Sequence, residues 1–321
     1  MGTQGRFLLR VVLFLALLGI AYPVVLVVGK TVLPGSFVHN VQYRIGGYGH
    51  LLTRLQDAAA KGKVDVLFTG SSLAYRGFDP RIWEQQGLRA FNLGSSGQTP
   101  LQTEILLNDH LARLDPDLVI MEVDPLYLGG DGVESSMDLI ANRPIDLATV
   151  RMAARIASLK TFNTLLYGMV RQCSGRDDGL MQAPISGDDI YVGDGFVERR
   201  AGRFAPTAAL PQWDPVPLQK QLDALERILA TLQRQGRTVI LVRAPVTTAA
   251  RTSGMEFSTW LSSRPALRWI DMTGKAGLMD SVHYYDHHHL NQTGVERFNH
   301  TLLDTLRTRG WLPPGRTISA P

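Results

Sequence analysis

The sequence predicts an α/β protein: a parallel sheet covered by helices on both faces, carried behind a membrane-spanning helix. Two observations predict the sheet. Short apolar runs rich in Val, Ile, Leu and Phe end in Gly, Asp or Asn, and segments with helical periodicity separate them. A third predicts the anchor. "RFLLRVVLFLALLGIAYPVVLVVGK" has no charge between Arg10 and Lys30, leaving 19 almost entirely apolar residues. That is close to the roughly 20 residues a helix needs to cross hydrocarbon.

In chain order, Arg6 and Arg10 precede the apolar run, which places the N-terminus inside and the remainder outside. A cleaved signal peptide is the rival reading, but the run continues through "YPVVLVV" without a small-x-small site. Residues 31–62 read as a juxtamembrane connector ending in a helix near 49–61. "KVDVLFTG" (63–70) is the first strand, "RAFNLG" (89–94) the second and "DPDLVIMEVDP" (115–125) the third. "LQTEILLNDHLARL" (101–114) has helical spacing between the last two. "LQKQLDALERILATLQRQG" (218–236) is a second long helix stopped by Gly236. "RTVILVRAP" (237–245) and "LRWIDM" (267–272) are strands four and five. Thr293 and Glu296 stand in capping-box spacing at the start of the last helix, 293–307. Residues 126–216 form a large insertion after strand three, helical in its first half and Gly/Asp-rich and irregular in its second. The divisions are therefore 1–30 (cytoplasmic tip and anchor), 31–62 (connector), 63–310 (α/β domain) and 311–321 (tail).

Composition narrows the function. The chain has 321 residues, 45% of them hydrophobic, with a net charge of +4, and its cations are scattered, so nucleic acid is not an expected partner. The lone Cys173 excludes an internal disulfide and a multi-cysteine metal site, and reads as packing.

Open parallel sheets bind ligands beyond the carboxyl ends of their strands. The segments leaving those ends here are "GSSLAYRG", "GSSGQTP" and "DPLYLGG". Near the C-terminus, "YYDHHHLNQTG" (284–294) sets Asp286 and His289 three residues apart, a spacing that brings both side chains to one face. A serine, an imidazole and an orienting carboxylate are the parts of an activated nucleophile. The competing reading of the serine pair is a turn or helix cap. Clustered His283, His287, His288 and His289 also suggest a metal, but no acid or histidine elsewhere completes a ligand set, and neither a metal nor a cofactor is expected. Arg76, Tyr127, Arg243 and His288 are candidates for substrate contacts. Arg243, a charge at the end of a strand, must find a partner. Asn92 is a turn-stabilising residue or a polar donor in the pocket, and Asp124 a cap or loop residue.

In these residues the chain resembles the SGNH (GDSL-type) hydrolases. "GSS" (70–72) stands where that family has G-D-S, which nominates Ser72 as nucleophile and leaves Ser71 to hydrogen bonding. "NLGSSGQT" (92–99) resembles its second block and nominates the Gly97 N–H, beside that of Ser72, as an oxyanion donor. "DHHH" (286–289) resembles its last block, giving Asp286 and His289. The resemblance covers about 64–306 apart from the insertion. It implies a three-layer α/β/α flavodoxin-like fold of about five parallel strands.

The third block departs from the pattern: "MEVDPLYL" has no G-x-N-D, so the usual asparagine donor is absent. A similar run is found in the branch that includes the D-alanyl transfer protein of teichoic acid modification, and in membrane-anchored proteins of exopolysaccharide acetylation. This likeness implies an O-acyltransferase or esterase on a cell-envelope or secreted polysaccharide. Such a protein is expected in the bacterial cytoplasmic membrane with its domain outside, beside a membrane-bound O-acyltransferase or polysaccharide synthase. The alternative is a catalytically silent subunit that binds glycan or holds such a complex together.

Overall fold

The computed structural model describes residues 2–32, 45–175, 179–200, 202, 204 and 214–314. Parts of all four sequence divisions lie outside these residues: residue 1 of the cytoplasmic tip, 33–44 of the connector, 176–178, 201, 203 and 205–213 of the insertion in the α/β domain, and 315–321 of the tail. Helix α1 (Thr3–Val32) contains a 27-residue segment, Thr3–Gly29, within which an 18-residue stretch has mean hydropathy 2.9, long and apolar enough to cross a membrane. Pro23 lies within it.

After α2 (Leu51–Ala60) the α/β domain begins with β1 (Val66–Thr69), α3 (Ser72–Tyr75), α4 (Pro80–Glu84) and β2 (Ala90–Asn92). It continues with α5 (Pro100–Leu114), β3 (Leu118–Glu122) and α6 (Pro125–Leu128). The insertion supplies α7 (Val133–Asn142), α8 (Leu147–Ile156), α9 (Leu159–Cys173), β4 (Ile185–Ser186), β5 (Asp189–Gly193) and β6 (Phe196–Arg199). Then come α10 (Gln219–Arg234), β7 (Thr238–Arg243), α11 (Met255–Ser262), β8 (Arg268–Asp271), α12 (Asp280–His283) and α13 (Gln292–Thr308).

Strands β2-β1-β3-β7-β8 form one parallel sheet in that order. Its chain order is the flavodoxin-like 2-1-3-4-5, with a switch point between β1 and β3. Alternation along the strands divides the core. Val66, Phe68, Ile120 and Val242 pack with Val295, Phe298 and Leu302 of α13. Leu67, Val119 and Leu241 face the other way, onto Leu107 and Leu111 of α5 and Leu225 and Ile228 of α10. Both faces are covered, which is why these strands are continuous apolar runs.

Three expectations need correction. The second half of the insertion is not wholly irregular: β4, β5 and β6 form an antiparallel sheet. Its tight turn docks on the edge strand β2, where the Asn92 N–H donates to the Asp194 carbonyl at 2.9 Å. A Cβ on Gly195 would meet the Asn92 carbonyl oxygen at 1.9 Å, so only glycine fits there. The cap of α13 is Asn291, whose side chain accepts from the Gly294 N–H at 3.1 Å; the helix starts before Thr293, which is exposed in its first turn. Cys173 is exposed at the end of α9 and does not pack.

Phe68 sits at the centre of the first core, fully buried, with its ring 5.1 Å from Phe78 and 5.0 Å from Trp83. Phe68→Ala is expected to lower stability by about 3–5 kcal/mol, read from guanidinium unfolding of the chain in detergent.

Candidate active site

The strand end, the helix after it and a late loop converge at the switch point. Gly70 follows β1 with φ +139, and a Cβ there would meet the Glu122 Cβ at 2.6 Å. This close approach lets the chain turn sharply into α3. Ser71 is the N-cap: its Oγ accepts from the Leu73 N–H at 3.1 Å. Its own N–H and Oγ–H both donate to Glu122 Oε2, at 2.8 and 2.7 Å. Ser71 is thus fully engaged and fully buried, while Ser72, at the first position of α3, has its Oγ within reach of His289 and Tyr127.

The loop 284–290 closes on itself through a bridge between Tyr284 and Leu290. Within it the Asp286 carboxylate accepts from the backbone N–H groups of His288 and His289, both at 2.8 Å. The same carboxylate lies 2.8 Å from His289 Nδ1, and His289 Nε2 lies 2.8 Å from Ser72 Oγ. Burial alone would raise the Asp286 pKa, but the His289 ring and the two N–H donors outweigh it and hold it at about 2. An ionised Asp286 only accepts, so Nδ1 carries the imidazole proton and Nε2 is the acceptor. Ser72 must then donate its single proton to Nε2. It follows that Tyr127, whose Oη lies 3.3 Å from Ser72 Oγ, is the donor in that contact. Burial pushes the Tyr127 phenol well above its ordinary value, which keeps it protonated. This is the arrangement a nucleophilic serine requires, with its general base aligned and its base oriented.

Gly97 lies in a loop tied to the end of β1. The Ser95 N–H donates to the Gly70 carbonyl at 3.0 Å, and Gln98 Nε2 donates to Thr69 Oγ1 at 3.1 Å. Among the described residues, the N–H groups of Ser72 and Gly97 have no protein acceptor.

The remaining candidates separate. Asn92 does not face the site: it is fully buried, its Nδ2 donates to the carbonyls of Ala74 (2.8 Å) and Phe78 (3.0 Å), and its Oδ1 accepts from the Gly94 N–H. Arg243 is likewise consumed. It donates to Asp124 Oδ2 at 3.1 Å and to the Thr252 carbonyl at 2.9 Å, locking the ends of β3 and β7 together. Asp124 also caps α6 through the Leu126 N–H. Arg76 is held by Asp189 of β5 in a two-point pair at 2.8 and 2.7 Å, and with His288 and His289 it lines a cavity of about 10 Å³. Burial lowers the His288 pKa, favouring its neutral form. Among the described residues no three His, Cys, Asp or Glu side chains converge on a point where a metal could sit. His283 accepts from the Met279 N–H through Nδ1, and His287 packs edge-on against Phe204.

Three residues escaped sequence reasoning. Tyr285 stacks on His289 with centroids 5.5 Å apart, and the Arg199 guanidinium lies 4.7 Å from its ring centroid. Asp189 fixes Arg76. Glu122 lies under the serine turn, and a carboxylate closing the apolar run "LVIME" was the signal for it.

No family model matches the chain, and no curated protein does. Solved structures that resemble it include a GDSL-like lipase from Bacteroides thetaiotaomicron, at 11% identity and TM-score 0.39, covering 81% of this chain and 98% of that one. A catalytic mutant of an acetylxylan esterase from Geobacillus stearothermophilus matches at 12% and 0.39, covering 79% and 99%. A family 3 carbohydrate esterase from Clostridium thermocellum matches at 10% and 0.34, covering 77% and 98%. Likenesses of this size say nothing of activity.

Glu122 gives a pH signature. Burial first, then the nearby Asp124 charge, raises its pKa from 4.5 to about 7, while its Oε1 has no partner. Between those values the folded state holds the extra proton, so stability falls as pH rises through the window, by roughly 3 kcal/mol. Glu122→Gln keeps an acceptor for Ser71 and is expected to flatten that slope in unfolding measured at pH 5 and pH 7.5.

Proposed function

We propose that this chain is an SGNH-type serine esterase or O-acyltransferase, with Ser72 as nucleophile, His289 as general base and Asp286 as its orienting carboxylate. The observation that carries the reading is the continuous path from Asp286 through both His289 nitrogens to Ser72 Oγ, at 2.8 Å for each step.

Ser72 Oγ attacks an acyl-ester carbonyl while His289 Nε2 takes its proton. Asp286 stabilises the imidazolium. The oxyanion forms against the N–H groups of Ser72 and Gly97 and the Tyr127 phenol. Tyr127 leaves the short helix after β3 and supplies the side-chain donor that the third block lacks. His289 returns the proton to the departing alcohol, leaving acyl-Ser72. A water or a sugar hydroxyl then gives its proton to His289 and attacks the acyl group, and His289 passes that proton to Ser72 Oγ as the acyl–Ser72 bond breaks.

The finer reading is transfer to, or removal from, a cell-envelope or secreted polysaccharide, by a domain held outside the membrane on α1. One feature supports it. The rim of Tyr285, Arg199 and His288 is aromatic and polar, as a carbohydrate acceptor requires. A membrane-bound acyltransferase or polysaccharide synthase is the partner class this reading implies.

A fluorophosphonate probe should label the wild-type chain on Ser72. Ser72→Ala should abolish labelling and lower acetyl-ester turnover by about four orders of magnitude or more. Unchanged labelling and turnover would overturn the reading. Tyr127→Phe is expected to lower kcat about a hundredfold with KM nearly constant, the loss associated with one oxyanion donor.

A further inference from the structure

Helix α9 has three faces. Taking 100° per residue, Thr161, Thr164, Leu165, Gly168 and Arg171 point into the insertion, and all five are buried. Asn163 faces α1: the Tyr22 hydroxyl donates to its Oδ1 at 2.6 Å. The third face is an apolar stripe of Leu159, Phe162, Leu166 and Val170, within an arc of roughly 80°. Leu159 is 68% exposed, Phe162 38% and Val170 40%. Asn163 borders this arc, so the stripe looks out on the side where α1 lies. Lys160, also exposed, flanks it.

The depth of the contact follows from helix geometry. Tyr22 is seven residues before Gly29, where the apolar span ends, hence about 10 Å from that end. Arg6 and Arg10 stand in the inner headgroups, so the charge-free residues 11–29, about 28 Å long, fill the roughly 30 Å of hydrocarbon and Tyr22 lies about 10 Å below its outer edge. The apolar face of an interfacial helix reaches about that depth, its flanking lysine staying at the headgroups.

We infer that α9 lies in the headgroup–acyl boundary on the catalytic side of the membrane, with Leu159, Phe162, Leu166 and Val170 in lipid. This rests on the reading of α1 as an anchor. It makes the insertion a second membrane contact, which fixes the height and tilt of the catalytic domain, so acyl transfer takes place on polymer at the bilayer surface.

The test uses the full chain in nanodiscs of phosphatidylcholine and phosphatidylglycerol. Cys173→Ser removes the native thiol, and spin labels are placed singly at Phe162→Cys, Leu15→Cys and Glu256→Cys. All three positions are exposed, so the fold tolerates the changes. Collision with oxygen and with a water-soluble nickel chelate reports depth. The expected result is a Phe162 label that meets the chelate about tenfold less often than the Glu256 label, yet meets oxygen freely, as the Leu15 label does. A Phe162 label in water with the Leu15 label in lipid would overturn the inference and leave the anchor standing. Both labels in water would overturn the anchor reading with it. A Phe162 label shielded from both collision partners would mean a second copy of the chain covers the stripe, and the lipid assignment would fall.

Discussion

The site depends on one buried carboxylate. Parallel pairing of β1 with β3 sets Thr69 beside Met121, so the next residues of each strand, Gly70 with Ser71 and Glu122, meet at the sheet end. Glu122 Oε2 then takes two hydrogen bonds from Ser71, which holds the serine turn at a fixed angle to the sheet. A buried acid is costly unless it is bonded, and here only one of its oxygens is. That imbalance, together with Asp124 nearby, keeps its proton affinity high. The ion pair of Arg243 with Asp124 fixes the same strand end from the other side. Ser72 and Tyr127 project from opposite sides of this clamp, and their hydroxyls meet above it.

Much of the fold was legible because strand and helix periodicities differ. The five sheet strands each fall within a stretch marked by its apolar spacing, and the long helices α5, α10 and α13 match theirs to within two residues at each end. The small β4–β6 sheet was not legible. Its strands are two to five residues long and broken by Gly193 and Gly195, too short for an alternation to distinguish them from a loop, and its place depends on contacts with Asn92 of β2, Asp57 of α2 and Arg76, far away in sequence. The start of α13 shows a second limit. Asn291 and Thr293 are both acceptable caps, and only the approach of the chain decides between them.

At the site, the spacing of Asp286 and His289 was informative because both lie in one tight loop. The substrate-facing residues were harder. Asn92 and Arg243 are polar groups at strand ends, and such groups either face a ligand or secure the turn beneath it. Here neighbouring carbonyls and Asp124 use up their donors. Arg76 has its fork occupied by Asp189, a residue contributed by the insertion that no local pattern links to it.

The Asn92–Gly195 contact has a consequence for how this scaffold can diversify. The hairpin β5–β6 supplies Asp189 and Arg199 at the site, while its turn is seated on the sheet edge with no room for a side chain. The hairpin is therefore a socketed module. Its strands can exchange their site-facing residues and so change what the site admits, provided the turn keeps a glycine. Grafting such a hairpin between chains of this fold should succeed when the turn is carried over intact, and lengthening the turn would displace Arg76 before it reached Ser72 or His289.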